Sequence, residues 1–128
     1  AERPADLGLN DMRLNEITYD GSRPIDGYGP GFFRIGGEVV EGAVLVLPTG
    51  VQKWAGFEDL DTLLALKGEV DVIFVGTGAE IAHIPAAMRN LLEAAGIGVE
   101  SMASPPACRT YNVLLSEGRR IAAALLPV

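Results

Sequence analysis

From Ala43 onward the sequence alternates between short apolar runs and segments with helical spacing, and that alternation admits few folds. Ala43 to Leu47 and Val70 to Val75 are aliphatic and β-branched with scarcely a polar break, the pattern of strands covered on both faces. Gly98 to Met102 and Ile121 to Leu126 read as two more strands, the last ended by Pro127. Between them, Asp59 or Asp61 can cap a helix carrying Leu60, Leu63, Leu64 and Lys67 before Gly68. Ile84-Pro85 starts a second helix with Met88, Leu91, Leu92 and Ala95 on one face and Gly96 as its stop. Ser104-Pro105-Pro106 opens a third, with Tyr111, Leu114 and Leu115 inward before Gly118. Strands alternating with helices need crossover connections, so the expected fold is α/β with a mostly parallel sheet and helices on both faces. Ala43 to Leu47, Val70 to Val75 and Gly98 to Met102 are expected as neighbours in that sheet.

The N-terminal third has a different pattern. Phe32 to Ile35 and Glu38 to Glu41 flank Gly36-Gly37, the signature of a primed-turn hairpin. Pairing Ile35 with Glu38 puts Phe33, Ile35 and Val40 on one face, and Arg34 and Glu41 on the solvated one. Ile25 to Tyr28 reads as another extended piece, and Ile17 and Tyr19 alternate up to Asp20-Gly21. Residues 1–15 have sparse apolar positions and no period, which predicts a loosely held arm ahead of a single domain over 16–128. The hairpin is then an addition to the α/β core.

Composition excludes several classes. The net charge is −7, and residues 1–64 hold eleven acids against five bases; such a surface repels phosphate backbones, which argues against nucleic-acid binding. No apolar run approaches the ~18 residues of a spanning helix, and no basic-then-apolar leader opens the sequence as given. The single cysteine, Cys108, cannot close an internal disulfide. Together these predict a cytoplasmic protein that is not integral to a membrane.

Ligands of open α/β sheets bind beyond the carboxyl ends of the strands. If the buried strands run parallel, one edge collects Pro48, Thr49, Gly50, Gln52, Lys53 and Trp54, then Gly76, Thr77, Gly78, Glu80 and His83, then Ser104, Cys108, Arg109 and Thr110. The candidate ligand-binding set is Thr49, Gly50, Trp54, Gly76, Thr77, Gly78, Cys108, Arg109 and Thr110. Gly76-Thr77-Gly78 could offer backbone N–H groups to an anion, yet it lacks the third glycine of a dinucleotide fingerprint and the Gly-Lys-Ser/Thr of a P-loop. A tight turn with close packing is its plainer role. Cys108 and His83 could pair as thiolate and imidazolium, but no third orienting group has a diagnostic spacing, and one His with one Cys is too few for zinc. Cys108 on an amphipathic helix is expected to be a small buried hydrophobe. Trp54 is expected to plug the core. Glu38, Glu41 and Asp26 fall on the hairpin and its approach, where carboxylates face water. No catalytic residue, metal or cofactor is assigned.

In order, Ile25-Asp-Gly-Tyr-Gly, Phe33-Arg-Ile, Val46-Leu-Pro, Trp54, Val75-Gly-Thr-Gly78, Ala107-Cys-Arg-Thr-Tyr-Asn-Val-Leu-Leu and Glu117-Gly-Arg-Arg-Ile-Ala-Ala-Ala-Leu-Leu-Pro127 resemble a family of small domains of unknown function. The mitochondrial respiratory complex I assembly factor 3 is one of its members. The resemblance runs from about Glu16 to Pro127 and implies a three-layer domain around a mixed sheet that includes an antiparallel strand. For function it implies a non-catalytic assembly or interaction factor with a protein partner in a membrane-associated complex, the quinone-binding region of complex I in the mitochondrial case. The alternative is a small-molecule or anion-binding domain, an enzyme among its forms, that uses the loop edge.

Overall fold

A computed structural model describes residues 23–128. The expected arm over 1–15, the domain start near Glu16 and the strand at Ile17 and Tyr19 lie outside the described residues.

β1 (Ile25–Gly29), β2 (Phe32–Ile35) and β3 (Glu38–Glu41) form an antiparallel sheet in that order. The β2–β3 register is the one the glycine pair dictates, with Ile35 opposite Glu38 and Phe33 opposite Val40. Gly36 and Gly37 take φ of 58° and 86°, the two left-handed positions of a type I′ turn. Phe33 and Ile35 are buried, and Arg34 and Glu41 face out.

The remaining strands are β4 (Val44–Leu47), β5 (Gly50–Lys53), β6 (Val72–Thr77), β7 (Gly98–Met102) and β8 (Ile121–Leu126), joined in one sheet of order β5-β4-β8-β6-β7. The three runs expected to be neighbours share this sheet, with two corrections. β8 lies between β4 and β6, and β4 runs antiparallel to β8 while β6, β7 and β8 are mutually parallel. The cause is local: Gly50 to Lys53, expected as loop, is β5, and it pairs with β4 across a tight turn at Pro48-Thr49. A hairpin there returns the chain to the end where β4 began, so no right-handed crossover places β4 in the parallel set. The strand expected over Val70 to Val75 is shifted to Val72–Thr77, leaving Val70 buried on the connection.

Alternation along these strands makes two cores. Leu45, Ile73, Val75, Ala122 and Ala124 face α1 (Leu60–Leu64) and α2 (Ala86–Ala94), together with Trp54, Met88 and Leu92. Val44, Val46, Phe74, Ile121, Ala123 and Leu125 face α3 (Ser104–Ser116) and the inner side of the three-stranded sheet, together with Phe33, Ile35, Cys108 and Tyr111. The result is the three-layer mixed α/β domain. Asp59 caps α1, its carboxylate accepting from the Thr62 hydroxyl at 2.7 Å and the Thr62 N–H at 3.4 Å. Those bonds and one from Ala55 N–H hold its pKa below the ordinary carboxylate value. α1 is shorter than expected, and Lys67 lies beyond it. On α2, Leu91 is 49% exposed, against expectation; on α3, Leu114 and Leu115 are half-buried while Tyr111 is fully buried.

Candidate functional site

The antiparallel β4 splits the expected loop edge in two. Thr49 and Gly50 fall at the end of the sheet where β6 and β8 begin, because Val44 pairs with Leu125 and Val46 with Ala123. Trp54, Thr77, Gly78 and the start of α3 gather at the opposite end, where the parallel strands finish. A pocket shared by Thr49, Thr77, Gly78, Arg109 and Thr110 therefore does not form.

At the carboxyl end the polar groups bond to one another. Ser104, fully buried at the first position of α3, donates its hydroxyl to the Leu126 carbonyl at 2.6 Å and accepts from Gly78 N–H at 2.9 Å. Its own N–H donates to the Gly78 carbonyl at 2.7 Å. One residue thus ties the ends of β6, β8 and α3, and the Gly78 N–H that an anion nest would need is occupied. The Thr77 hydroxyl donates to the Glu80 carbonyl at 2.8 Å and accepts from Ala82 N–H at 3.0 Å, which folds the following loop onto itself. Gly76 is required by proximity: a Cβ there would lie 2.7 Å from Ser104 Oγ and 2.9 Å from Ser104 Cα. Close packing, the plainer role of Gly76-Thr77-Gly78, is what the geometry shows.

Cys108 is buried, and its thiol is pushed up to about 11 by burial, with Arg109 pulling weakly the other way. It is protonated at neutral pH and a poor nucleophile. His83, Glu80 and Arg109 are exposed, and Thr110 is half-buried with its hydroxyl 3.9 Å from Met102 Sδ. Trp54 is 3% exposed, packs edge-on against Phe57 and donates Nε1–H to the Asp59 carbonyl at 3.2 Å. It is a core plug. Among the described residues no three His, Cys, Asp or Glu side chains converge as a metal site, and no helix is long and apolar enough to cross a membrane.

Among the described residues, a concavity that the sequence did not mark as a site lies at the other end of the sheet. A cleft of about 260 Å³ opens between the β4–β5 turn, the α1–β6 connection and the α3–β8 connection. Leu47, Pro48, Leu66 and Val70 wall it, the candidate residue Thr49 and Gly118 line it as well, and Glu69, Arg119 and Arg120 stand at it. Arg120 bonds to Asp71 at 2.8 Å and to the Gly68 carbonyl at 3.1 Å, and that guanidinium holds the Asp71 carboxyl below its usual value. These residues are far apart in sequence, and Thr49 is the one among them that belongs to the candidate ligand-binding set.

The profile of a family described as protein of unknown function (DUF498/DUF598) matches residues 25–126. An uncharacterized protein of Rhodobacter capsulatus is 51% identical over 117 residues, 91% of this chain and 94% of its own length. The NADH dehydrogenase (ubiquinone) 1 alpha subcomplex assembly factor 3 of Danio rerio is 36% identical over 107 residues, 78% of this chain. This chain spans 62% of that protein's length. A solution structure described as a Mth938-like domain of Bordetella pertussis superposes with a TM-score of 0.72 at 27% identity, covering 91% of this chain and 92% of that one.

Proposed function

This chain belongs to the DUF498/DUF598 family, and from that premise we propose that it is a non-catalytic assembly factor that acts by binding a protein partner of a respiratory membrane complex. The observation that carries the proposal is the 36% identity to a protein named as a complex I assembly factor. The site chemistry is consistent with it. The hydroxyls of Thr77 and Ser104 and the N–H of Gly78 are engaged in holding strand ends together, and burial keeps the thiol of Cys108 protonated at neutral pH. A domain of this kind presents a rigid scaffold, and recognition falls to its outer surface. The domain is proposed to span 16–128 and to meet a membrane only through its partner.

The test is made in the native host. Cys108→Ala, His83→Ala and Glu80→Ala are each compared with a deletion strain for complex I abundance, and partners are captured from membrane and soluble fractions. The expected result is a complex I defect in the deletion, wild-type abundance in each variant, and co-capture of a complex I subunit. Variants that fold and capture the partner yet behave like the deletion would show that chemistry lies in those side chains.

A further inference from the structure

We propose that the outward face of α2, together with the chain that leads into it from Ile81, docks one amphipathic helix of a partner protein, apolar along one side and bearing Lys and Arg beside that side. The inference rests on the partner-binding reading above and adds where the partner sits and what it presents. A helix laid on a sheet is ordinarily apolar on its buried side and polar on the other. α2 is apolar on both. Met88 and Leu92 turn into the core, while Ala87, Leu91 and Ala94, at i, i+4 and i+7, are exposed and share one row of the helix surface. Ile81 is 70% exposed and Leu91 49%, so the face carries two large aliphatic side chains left in water. From Ile81 to Leu92 the one Asp, Glu, Lys or Arg is Arg89. It is turned aside, donating to the Val99 carbonyl of β7 at 2.9 Å and lying 3.6 Å from Glu93. That bond occupies a backbone group of the outermost strand, so the surface on offer is a helix face rather than an open strand edge.

Charge selects the occupant. Residues 57–95, from the approach to α1 through α2, carry seven acids and two bases. Setting aside Asp71, which Arg120 answers at 2.8 Å, leaves six to two. The other described residues, 23–56 and 96–128, carry five acids and six bases. Because α1 and α2 cover the same side of the sheet, the negative charge of the described domain lies on the side that bears the apolar row. Such a field is spread over many carboxylates, and removing one of them changes it little. It favours a cationic rim around an apolar contact and disfavours three other occupants. An anionic lipid surface is repelled. α2 of a second copy brings a like-charged layer, and residues 1–22, with five acids and two bases, carry the same sign. The nine residues of α2 run about 14 Å, room for two to three turns of a helix docked by its apolar side.

The experiment titrates the isotope-labelled full chain with a synthetic peptide of about 15 residues, a helix with a leucine stripe flanked by lysines, and follows amide chemical shifts. One control peptide has glutamate at each lysine and another has glutamine at each leucine. The first peptide is expected to shift the amides of residues 81–95 saturably, and both controls to bind at least roughly tenfold more weakly. Leu91→Gln and Ile81→Gln together are expected to weaken the first peptide about tenfold. Val113→Gln, at a position 57% exposed on α3, is expected to leave it unchanged. All three sites are exposed, and the amide spectrum itself reports that the variants fold. Shifts centred away from α2 and its approach, equal binding of the leucine-free peptide, or indifference to the double substitution would overturn the proposal. So would concentration-dependent broadening of the α2 amides without peptide, which marks an interface between copies. In the native host the double variant is expected to lose the complex I subunit that the wild type and Val113→Gln co-capture, and retention at the wild-type level would overturn the site. The peptide readout does not involve complex I. Normal complex I in the deletion strain would remove the assembly-factor reading alone, whereas a failed titration beside a complex I defect in that strain would remove this site alone.

Discussion

At Gly76 the fold leaves room for a hydrogen atom and nothing larger. A methyl group would sit 2.7 Å from Ser104 Oγ and 2.8 Å from Leu125 Cδ2, and the third contact, at 2.9 Å, is to backbone. Because the backbone of α3 cannot swing aside as a side chain could, Gly76→Ala is expected to destabilise by about 1–3 kcal/mol, read from the denaturant midpoint at unchanged slope. Tyr111 poses the opposite case. It is fully buried, and its hydroxyl has no hydrogen-bond partner among the described residues. Burial raises its pKa, so the hydroxyl stays protonated and uncompensated. Tyr111→Phe is therefore expected to be neutral or to stabilise by about 1 kcal/mol, and a loss of stability would reveal a partner for that oxygen. Burial raises Cys108 in the same way, to about 11 from 9.0. An acid whose folded pKa is raised contributes stability that is complete below the unfolded pKa and is lost as pH climbs through the folded one. Between pH 9 and 11 the protein should lose stability faster than Cys108→Ala does, while thiol reagents label the folded chain slowly at neutral pH. Burial of Cys108 was legible because Tyr111 and Leu115 follow it at helical spacing. The missing partner of Tyr111 was not, since it depends on which atoms the opposing sheet brings near.

Among the elements, the hairpin was legible down to its register and the direction of β4 was not. Gly36-Gly37 admits one tight turn, and the alternation of Phe33 and Ile35 fixes which face is buried. Beyond β4 the local signal fails. Pro48-Thr49 resembles many loops, and Gly50-Val-Gln-Lys53 is too short to show a period; only pairing with β4 makes it a strand. That one hairpin moved Thr49 and Gly50 away from Gly76 to Gly78, which is why the expected pocket dissolved and a different cleft took its place. Attachment of the small sheet also depends on a contact the sequence does not announce. Asn112, midway along α3, accepts from Ile25 N–H and donates to the Ile25 carbonyl, both at 2.8 Å. It pairs with β1 as a neighbouring strand would. Asn112→Ala strands both backbone groups in a half-buried site, and a cost of about 1–3 kcal/mol is expected. Faster amide exchange should be confined to β1 and its partners if the small sheet detaches locally. Uniform acceleration across both sheets would mean that β1 to β3 open only with the whole domain.

For the molecule as a whole, the two cores share one sheet, and the question is whether they melt together. Trp54 sits in the core under α1 and α2, and Tyr111 in the core under α3. β8 runs between them as the central strand, its Ala122 and Ala124 turned to one side and Ala123 to the other. Those three alanines set the spacing of the layers, because a larger residue would push one helix layer off the sheet. Neither core can lose its helices without exposing strands whose other faces are still packed, so the cores are coupled through the backbone of β4, β6 and β8. Overpacking on one side should therefore weaken both. Ala123→Val, which intrudes only on the α3 side, is expected to cost about 1–3 kcal/mol. The drop in midpoint should be the same whether followed by fluorescence of Trp54, on the far side of the sheet, or by tyrosine near-ultraviolet dichroism, which includes Tyr111. If the Trp54 transition stays at its original midpoint while the tyrosine signal moves, the sheet does not transmit the strain. The domain would then be two semi-independent layers, and the rigid scaffold on which the proposed partner surface depends would have to be abandoned.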